Sequence, residues 1–137
     1  MTLFVDSSTF YAGADRGDSS HQRAATILSA GEPLVTSDHV LVETWLLLNA
    51  RLGRSVADRF WDGIRTGVAR IEPVERGDLE RAWSIGQDFA DQSFSIIDRT
   101  SFAVMLRLGI LRAASFDNDF LVFRYGPRRE RAFEIVR

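Results

Sequence analysis

The sequence contains no cysteine and no lysine, and its only imidazoles are His21 and His39. Without cysteine there can be no disulfide, no thiolate nucleophile and no Cys-ligated zinc or iron–sulfur centre. Without lysine there is no Schiff-base chemistry, no Walker-type phosphate lysine and no Ser–Lys nucleophile pair. Two histidines cannot build a His-rich zinc site. No apolar run reaches membrane-spanning length. The opening Met1-Thr2-Leu3-Phe4-Val5-Asp6 turns acidic too early for a secretory leader, so the expected location is the cytoplasm, away from membranes. With 17 arginines against 19 acids the net charge is −2. That argues against a broad basic face and leaves local arrangement to set any field that nucleic acid would feel.

What remains is an ordinary globular composition. A length of 137 residues suits one domain spanning 1–137, and an apolar fraction of 45% supplies a core. Short apolar runs read as strands at Leu3–Val5, Leu34–Thr36, Arg70–Val74, Ile110–Phe116 and Phe133–Val136, the last as an edge strand. Between them lie helical periods. One covers Ser20–Ala30, and one runs from a cap at Ser37 or Asp38 to about Arg51. Others cover Val56–Ile64, Asp78–Phe89 and Phe94–Leu108, the last ending at Gly109. Leu79, Ala82, Trp83 and Phe89 form the expected apolar set of the Asp78–Phe89 helix. Strands alternating with amphipathic helices predict an α/β fold with a mainly parallel sheet.

Most of the acids are ordinary surface residues; a few stand where a carboxylate is costly. Asp6 ends the first strand, at the edge where open α/β sheets bind ligands, or it caps the next turn. Glu43 interrupts a helix that is apolar over much of its circumference, where a charge needs a partner such as Arg51 or a metal. Asp98 shares a helix face with Ser101, Phe102 and Met105, unless the helix begins late and Asp98 is a first-turn acid. Asp117 and Asp119 follow the fourth strand, either as plain turn residues or as part of a cluster with Asp6.

Crowded carboxylates repel one another unless cations hold them. With no cysteine and few histidines, an all-oxygen Mg²⁺ or Mn²⁺ site is the catalytic metal site this composition permits, and it suits phosphodiester hydrolysis. Ser7 and Thr100 are candidate hydrogen-bond partners of the acids, Thr100 equally a satisfied helix hydroxyl. His39 lies one turn before Glu43; His21 reads as a surface or capping residue. Arg16, Arg99, Arg112 and Arg124 are candidate contacts for a phosphate-bearing substrate, and Arg128, Arg129 and Arg131 form the densest basic run, for the same use or as a solvated C-terminal surface. The Trp45–Leu48 stretch and Phe60-Trp61 put apolar groups on more than one helix face, for packing within the chain or against a partner.

Taken in order, four segments resemble the PIN domain family, and within it the VapC toxins of bacterial toxin–antitoxin pairs. They are Leu3-Phe4-Val5-Asp6-Ser7-Ser8, Leu41-Val42-Glu43-Thr44, Ser95-Ile96-Ile97-Asp98-Arg99-Thr100-Ser101-Phe102-Ala103-Val104-Met105 and Ser115-Phe116-Asp117-Asn118-Asp119-Phe120. The resemblance implies a three-layer α/β/α fold with a short, mainly parallel central sheet. It implies a Mg²⁺- or Mn²⁺-dependent endoribonuclease that cuts structured RNA such as tRNA or rRNA. It makes Asp6, Glu43, Asp98 and Asp117 the metal-binding and catalytic acids. Asp119 stands where many relatives carry another residue, often His, and would complete the shell or orient water. The implied partners are a cognate antitoxin and a second copy of the chain. Two other readings are an RNA-processing nuclease of the same fold without a toxin role and a non-catalytic binding domain. A phospho-aspartyl phosphatase would need a DxD directly after the first strand and usually a lysine; the sequence has Asp6-Ser7-Ser8 there and no lysine.

Overall fold

Leu3, Phe4 and Val5 are all within 1% of complete burial, as expected of a strand covered on both faces. They form β1 of a five-stranded sheet in a computed structural model that describes residues 1–137. The other strands are β2 (Leu34–Ser37), β3 (Arg70–Glu72), β4 (Arg112–Ala114) and β5 (Glu134–Val136). Their order is β3-β2-β1-β4-β5 and every neighbouring pair is parallel. The helices are α1 (Ser7–Ala14), α2 (His21–Leu28), α3 (Asp38–Leu52), α4 (Arg54–Gly63), α5 (Arg76–Asp88), α6 (Ile96–Leu108) and α7 (Asp119–Val122). Right-handed crossovers lay α1–α4 over one face as the chain steps from β1 to β3. The return to β4 lays the packed pair α5 and α6 over the other, so the fold has three α/β/α layers.

The direction of travel reverses between β1 and β4. That is the topological switch point, where the carboxyl ends of neighbouring strands leave a crevice. Asp6 follows β1 and Ser115 follows β4, so the crevice is bounded by these two segments. Beneath it lies an aromatic core. Phe102 of α6 stacks on Phe123 at 4.2 Å and meets Phe120 of α7 edge-on at 4.9 Å. These contacts fix α6 against α7, and so fix Asp98 relative to Asp119.

Several boundaries differ from the sequence pattern, each for a local reason. Strand β3 stops at Glu72 because Pro73 has no N–H to continue the ladder. Helix α6 starts at Ile96, not Phe94, because Ser95 and Asp98 form a reciprocal capping box. Helix α5 starts at Arg76 through a similar box between Glu75 and Asp78. Its buried face carries Asp78, Ala82 and Ile85, whereas Leu79 and Trp83 are 43% and 66% exposed. The expected apolar set was rotated because the packing stripe includes an acid, Asp78, which is neutralised by Arg107 of α6.

Candidate metal centre at the carboxyl edge of the sheet

Asp6 is the N-cap of α1. Its backbone is extended, which turns the chain from strand to helix, and its side chain accepts from Ser8 N at 3.5 Å. The same oxygen, Oδ2, accepts from Ser8 Oγ at 2.8 Å and Ser115 Oγ at 2.9 Å. Ser115 Oγ also accepts from Asp117 N at 3.0 Å, and Ser8 Oγ from Phe116 N at 2.9 Å. Two hydroxyls, Ser115 buried and Ser8 half-buried, thus tie the end of β1 to the loop after β4. Burial pushes the Asp6 carboxyl above its ordinary range, against the pull of these serines, and Asp117 adds to the rise.

Asp98 sits at the third position of α6. Its Oδ2 accepts from Ser95 N at 3.2 Å, while its own N–H donates to Ser95 Oγ at 3.1 Å. The two sequence alternatives for Asp98 therefore both hold: it is a first-turn acid, and it faces other acids. Burial, then Asp117, then Asp6, and last a hydrogen bond from the protonated form to Asp119, together push its carboxyl up to about 8 against the pull of Ser95 N–H.

Asp117 and Asp119 come from the turn between β4 and α7, where Asp119 N donates to Asp117 Oδ1 at 2.9 Å. Asp98, Asp117 and Asp119 each offer a carboxylate oxygen within 4.8 Å of the others. Asp6 adjoins this trio. Glu43 reaches the same region from α3, half-buried, and its Oε1 accepts from Ser7 Oγ at 2.5 Å. Ser7 Oγ lies 3.5 Å from Asp6 Oδ1, so one hydroxyl links the two acids. The structure therefore gathers all five sequence-selected acids at one sheet edge. No arginine is among their hydrogen-bond or ion-pair partners. The trio's spacing and hard oxygen donors suit a small divalent cation, which would hold these acids ionised.

Other sequence selections lie elsewhere. Thr100 Oγ1 donates to Ile97 O at 3.1 Å and is a satisfied helix hydroxyl. His21 Nδ1 is 2.8 Å from Ala12 O, which holds α2 to α1. His39 lines a groove beside Glu43. Arg112 stands at the start of β4, the opposite edge from the acids, paired with Glu32 and Glu134. A strand's first residue points to the wrong end of the sheet, so its place in the sequence near the acidic loop was misleading. Arg99 donates to Phe94 O and packs against Gly86, bracing α5 on α6. Arg124 donates to the closing carbonyls of α7. Arg129 covers the Phe89 ring at 4.7 Å, and Arg131 pairs with Glu130. Two residues that hold the site, Ser8 and Ser115, stood in the quoted segments but were not selected as site residues. A serine just after a β-strand, opposite Asp6-Ser7-Ser8, carries no local signal of the hydroxyl bridge it forms.

Comparison with known proteins is consistent in family and in fold. The PIN domain family model matches residues 3–124. The 23S rRNA-specific endonuclease VapC20 of Mycobacterium tuberculosis is 40% identical over 119 residues, covering 86% of this chain and 91% of its own. The crystal structure of VapC20, described as a sarcin–ricin-loop-cleaving toxin, has a TM-score of 0.82 at 38% identity. The match covers 88% of this chain and 93% of that one. VapBC2 from Rickettsia felis, solved with a DNA fragment from its promoter, covers 98% of this chain and 97% of its own. It has a TM-score of 0.69 at 8% identity, a likeness of fold alone.

Proposed function

The chain belongs to the PIN domain family and is homologous to VapC20, and from that premise we propose that residues 1–137 form one metal-dependent endoribonuclease domain. We further infer that it is the toxin of a toxin–antitoxin pair and that its substrate is 23S ribosomal RNA. The observation that carries the proposal is the convergence of Asp98, Asp117 and Asp119 within 4.8 Å, next to buried Asp6, at the switch point of the sheet. A binding module gains nothing from buried acids that repel one another, whereas a nuclease centre uses them.

Asp98, Asp117 and Asp119 would hold Mg²⁺ or Mn²⁺, with Asp6 and Glu43 completing the oxygen-rich wall. The cation, when bound, supplies charge stabilisation at the phosphate and lowers the pKa of water. Ser8 and Ser115 hold the Asp6 carboxylate in one orientation, and the Ser95 capping box does the same for Asp98. Ser7 occupies Glu43 Oε1, which leaves Oε2 to orient the attacking water. Water adds to phosphorus as one P–O bond of the RNA backbone breaks, and the proton that the water gives up ends on the departing oxygen, leaving a phosphomonoester and a hydroxyl.

Two surfaces suit the partners. A groove of about 850 Å³ runs among α1, α2 and α4, walled by Phe10, Leu28, Val56 and Phe60, with Arg16 and Arg59 beside it. It suits an antitoxin segment of apolar and acidic residues. Val42, Leu46 and Ile96 are exposed around a smaller groove beside Glu43 and suit a second copy of the chain.

The test is cleavage of 23S rRNA by purified, antitoxin-free protein with Mg²⁺, with Mn²⁺ and with EDTA, the ends mapped by primer extension. A discrete metal-dependent cut that Asp98→Asn abolishes is expected. Fragments unaffected by EDTA or by the variant would sink the proposal, and cutting confined to tRNA would replace the substrate. Expression that leaves growth unaffected despite cleavage in vitro would favour the RNA-processing role.

A further inference from the structure

Two arginines stand beside the acidic loop without a carboxylate partner. Arg23, in the first turn of α2, places its guanidinium 5.5 Å from the centre of the Phe116 ring. Its hydrogen bond to Ser20 Oγ is long, at 3.5 Å. Arg137 donates from Nη1 and Nη2 to Asn118 Oδ1, each at 3.2 Å, and Nη1 lies 3.4 Å from Phe116 O. Neither is in an ion pair. Together they line a shallow cavity of about 220 Å³ with Gln22, Thr26 and Ile27.

Their place in the fold is informative. They grip Phe116 and Asn118, which alternate along the chain with Asp117 and Asp119. A cation in the first turn of a helix opposes the helix dipole, so the stability of α2 does not explain Arg23. Both side chains are exposed and close to a cluster of acids, yet neither turns to neutralise it. The cluster itself repels phosphate, so an RNA strand approaching it needs positive charge at its margin.

We propose that Arg23 and Arg137 cradle a backbone phosphate of the RNA adjacent to the bond that is cut, laying the strand over Phe116 into the acidic pit. The inference rests on the nuclease reading above and names where its substrate is held. The cation–π contact with the Phe116 ring holds the Arg23 guanidinium beside the loop, and the guanidinium fork matches two phosphate oxygens.

The probe is a synthetic RNA hairpin carrying the sarcin–ricin loop. Binding is read by fluorescence anisotropy in EDTA over a salt series, for the wild type, Arg23→Ala, Arg137→Ala and Arg23→Lys. Each alanine variant should bind about 5–10-fold more weakly and lose about 1 from the salt slope. Arg23→Lys should recover most of the slope and part of the affinity. In metal-dependent cleavage KM should rise in parallel while kcat stays within about twofold. Unchanged affinity and slope in the alanine variants overturns the cradle, as does failure of the wild type to bind. A fall in kcat with an unchanged slope also overturns it, because the arginines then only brace the loop. Wild-type binding with the expected slope changes but no metal-dependent cleavage defeats the nuclease reading and leaves the cradle standing.

Discussion

Two buried aspartates occupy the same position in neighbouring helices and meet opposite fates. Asp78 is the third residue of α5 and Asp98 the third residue of α6, each closing a capping box with the residue before its helix. They are 3% and 6% exposed. Asp78 is met by Arg107, whose Nε and Nη2 each lie 3.0 Å from one of its oxygens, with Glu75 beside them. Asp98 is met by Asp117, Asp119 and Asp6. Local structure treats the two residues alike; what distinguishes them is the charge that the opposite element brings. The chain spends an arginine on Asp78 and gives Asp98 only more acid. A buried acid that the fold itself neutralises is accounted for by stability, whereas one faced only by other acids is what the proposed cation site requires.

The largest expected effect comes from breaking the functional member. Asp98→Asn should lower metal-dependent rRNA cleavage by about 10³-fold or more, the scale of losing a preorganised electrostatic group. Asparagine keeps the shape and an acceptor for Ser95 N–H, so circular dichroism should show the same fold. Retention of a tenth of wild-type activity would mean that Asp98 is not a ligand.

The contrast also predicts a pH dependence. The folded Asp98 carboxyl titrates near 8 and the unfolded one near 3.8. Between those values the folded state holds a proton that the unfolded chain has lost, so unfolding becomes more favourable as pH rises. Urea unfolding in EDTA should therefore show stability falling between about pH 4 and pH 8 and levelling above it. Asp98→Asn should flatten the fall, and Mn²⁺ should restore stability at pH 8 by binding the ionised acids. A metal-free protein that gains stability across this window would contradict the assignment.

At the structural member the expected effects are reversed. Asp78→Asn should cost about 2 kcal/mol, since it strips the partly buried Arg107 guanidinium of its nearer counter-charge and leaves only Glu75, less than a fully buried pair would cost. Thermal melting should show a drop of roughly 4–8 °C. Cleavage at 25 °C should stay near the wild-type rate, because Asp78 touches no group of the acidic site. If activity fell with Asp98→Asn-like severity while Tm held, the division between the two aspartates would be wrong.

Both aspartates are visible in the sequence, but only one announces itself. Asp98 lies among Ile97, Phe102 and Met105, so an acid on an apolar face is readable from spacing. Asp78 was hidden because Leu79 and Trp83 draw the apolar moment toward the solvent side of α5. The strands were readable because parallel strands buried on both faces favour apolar runs, which β1 has throughout and β2 has in Leu34-Val35. Their shared edge was less so. Arg112 lies three residues before Ser115 in sequence and across the strand from it in space. The hydroxyl bridges of Ser8 and Ser115 span 107 and 109 residues, a separation that no local pattern encodes. Asp119 was readable from the residues as the second acid of a turn or as part of a cluster; the edge-on packing of Phe120 of α7 against Phe102 is what brings it to Asp98.

The smallest effect probes how an acid is held rather than whether it is present. Ser7 Oγ donates to Glu43 Oε1 and lies within 3.5 Å of Asp6 Oδ1, so it fixes Glu43 at the margin of the pit. Removing the hydroxyl in Ser7→Ala forfeits one hydrogen bond to a charged group, about 1.5 kcal/mol, or roughly tenfold in rate if the bond orients Glu43 for the reaction. Alanine is a better helix former than serine, so the first turn of α1 should not weaken. The loss should therefore appear in kcat with Tm unchanged. Glu43→Gln should cost more than Ser7→Ala, because it removes the charge as well as its orientation. In the double variant Ser7→Ala should add nothing to the loss from Glu43→Gln. Additive losses would show that Ser7 serves Asp6 instead, and would move it from the α3 wall of the site to the β1 wall.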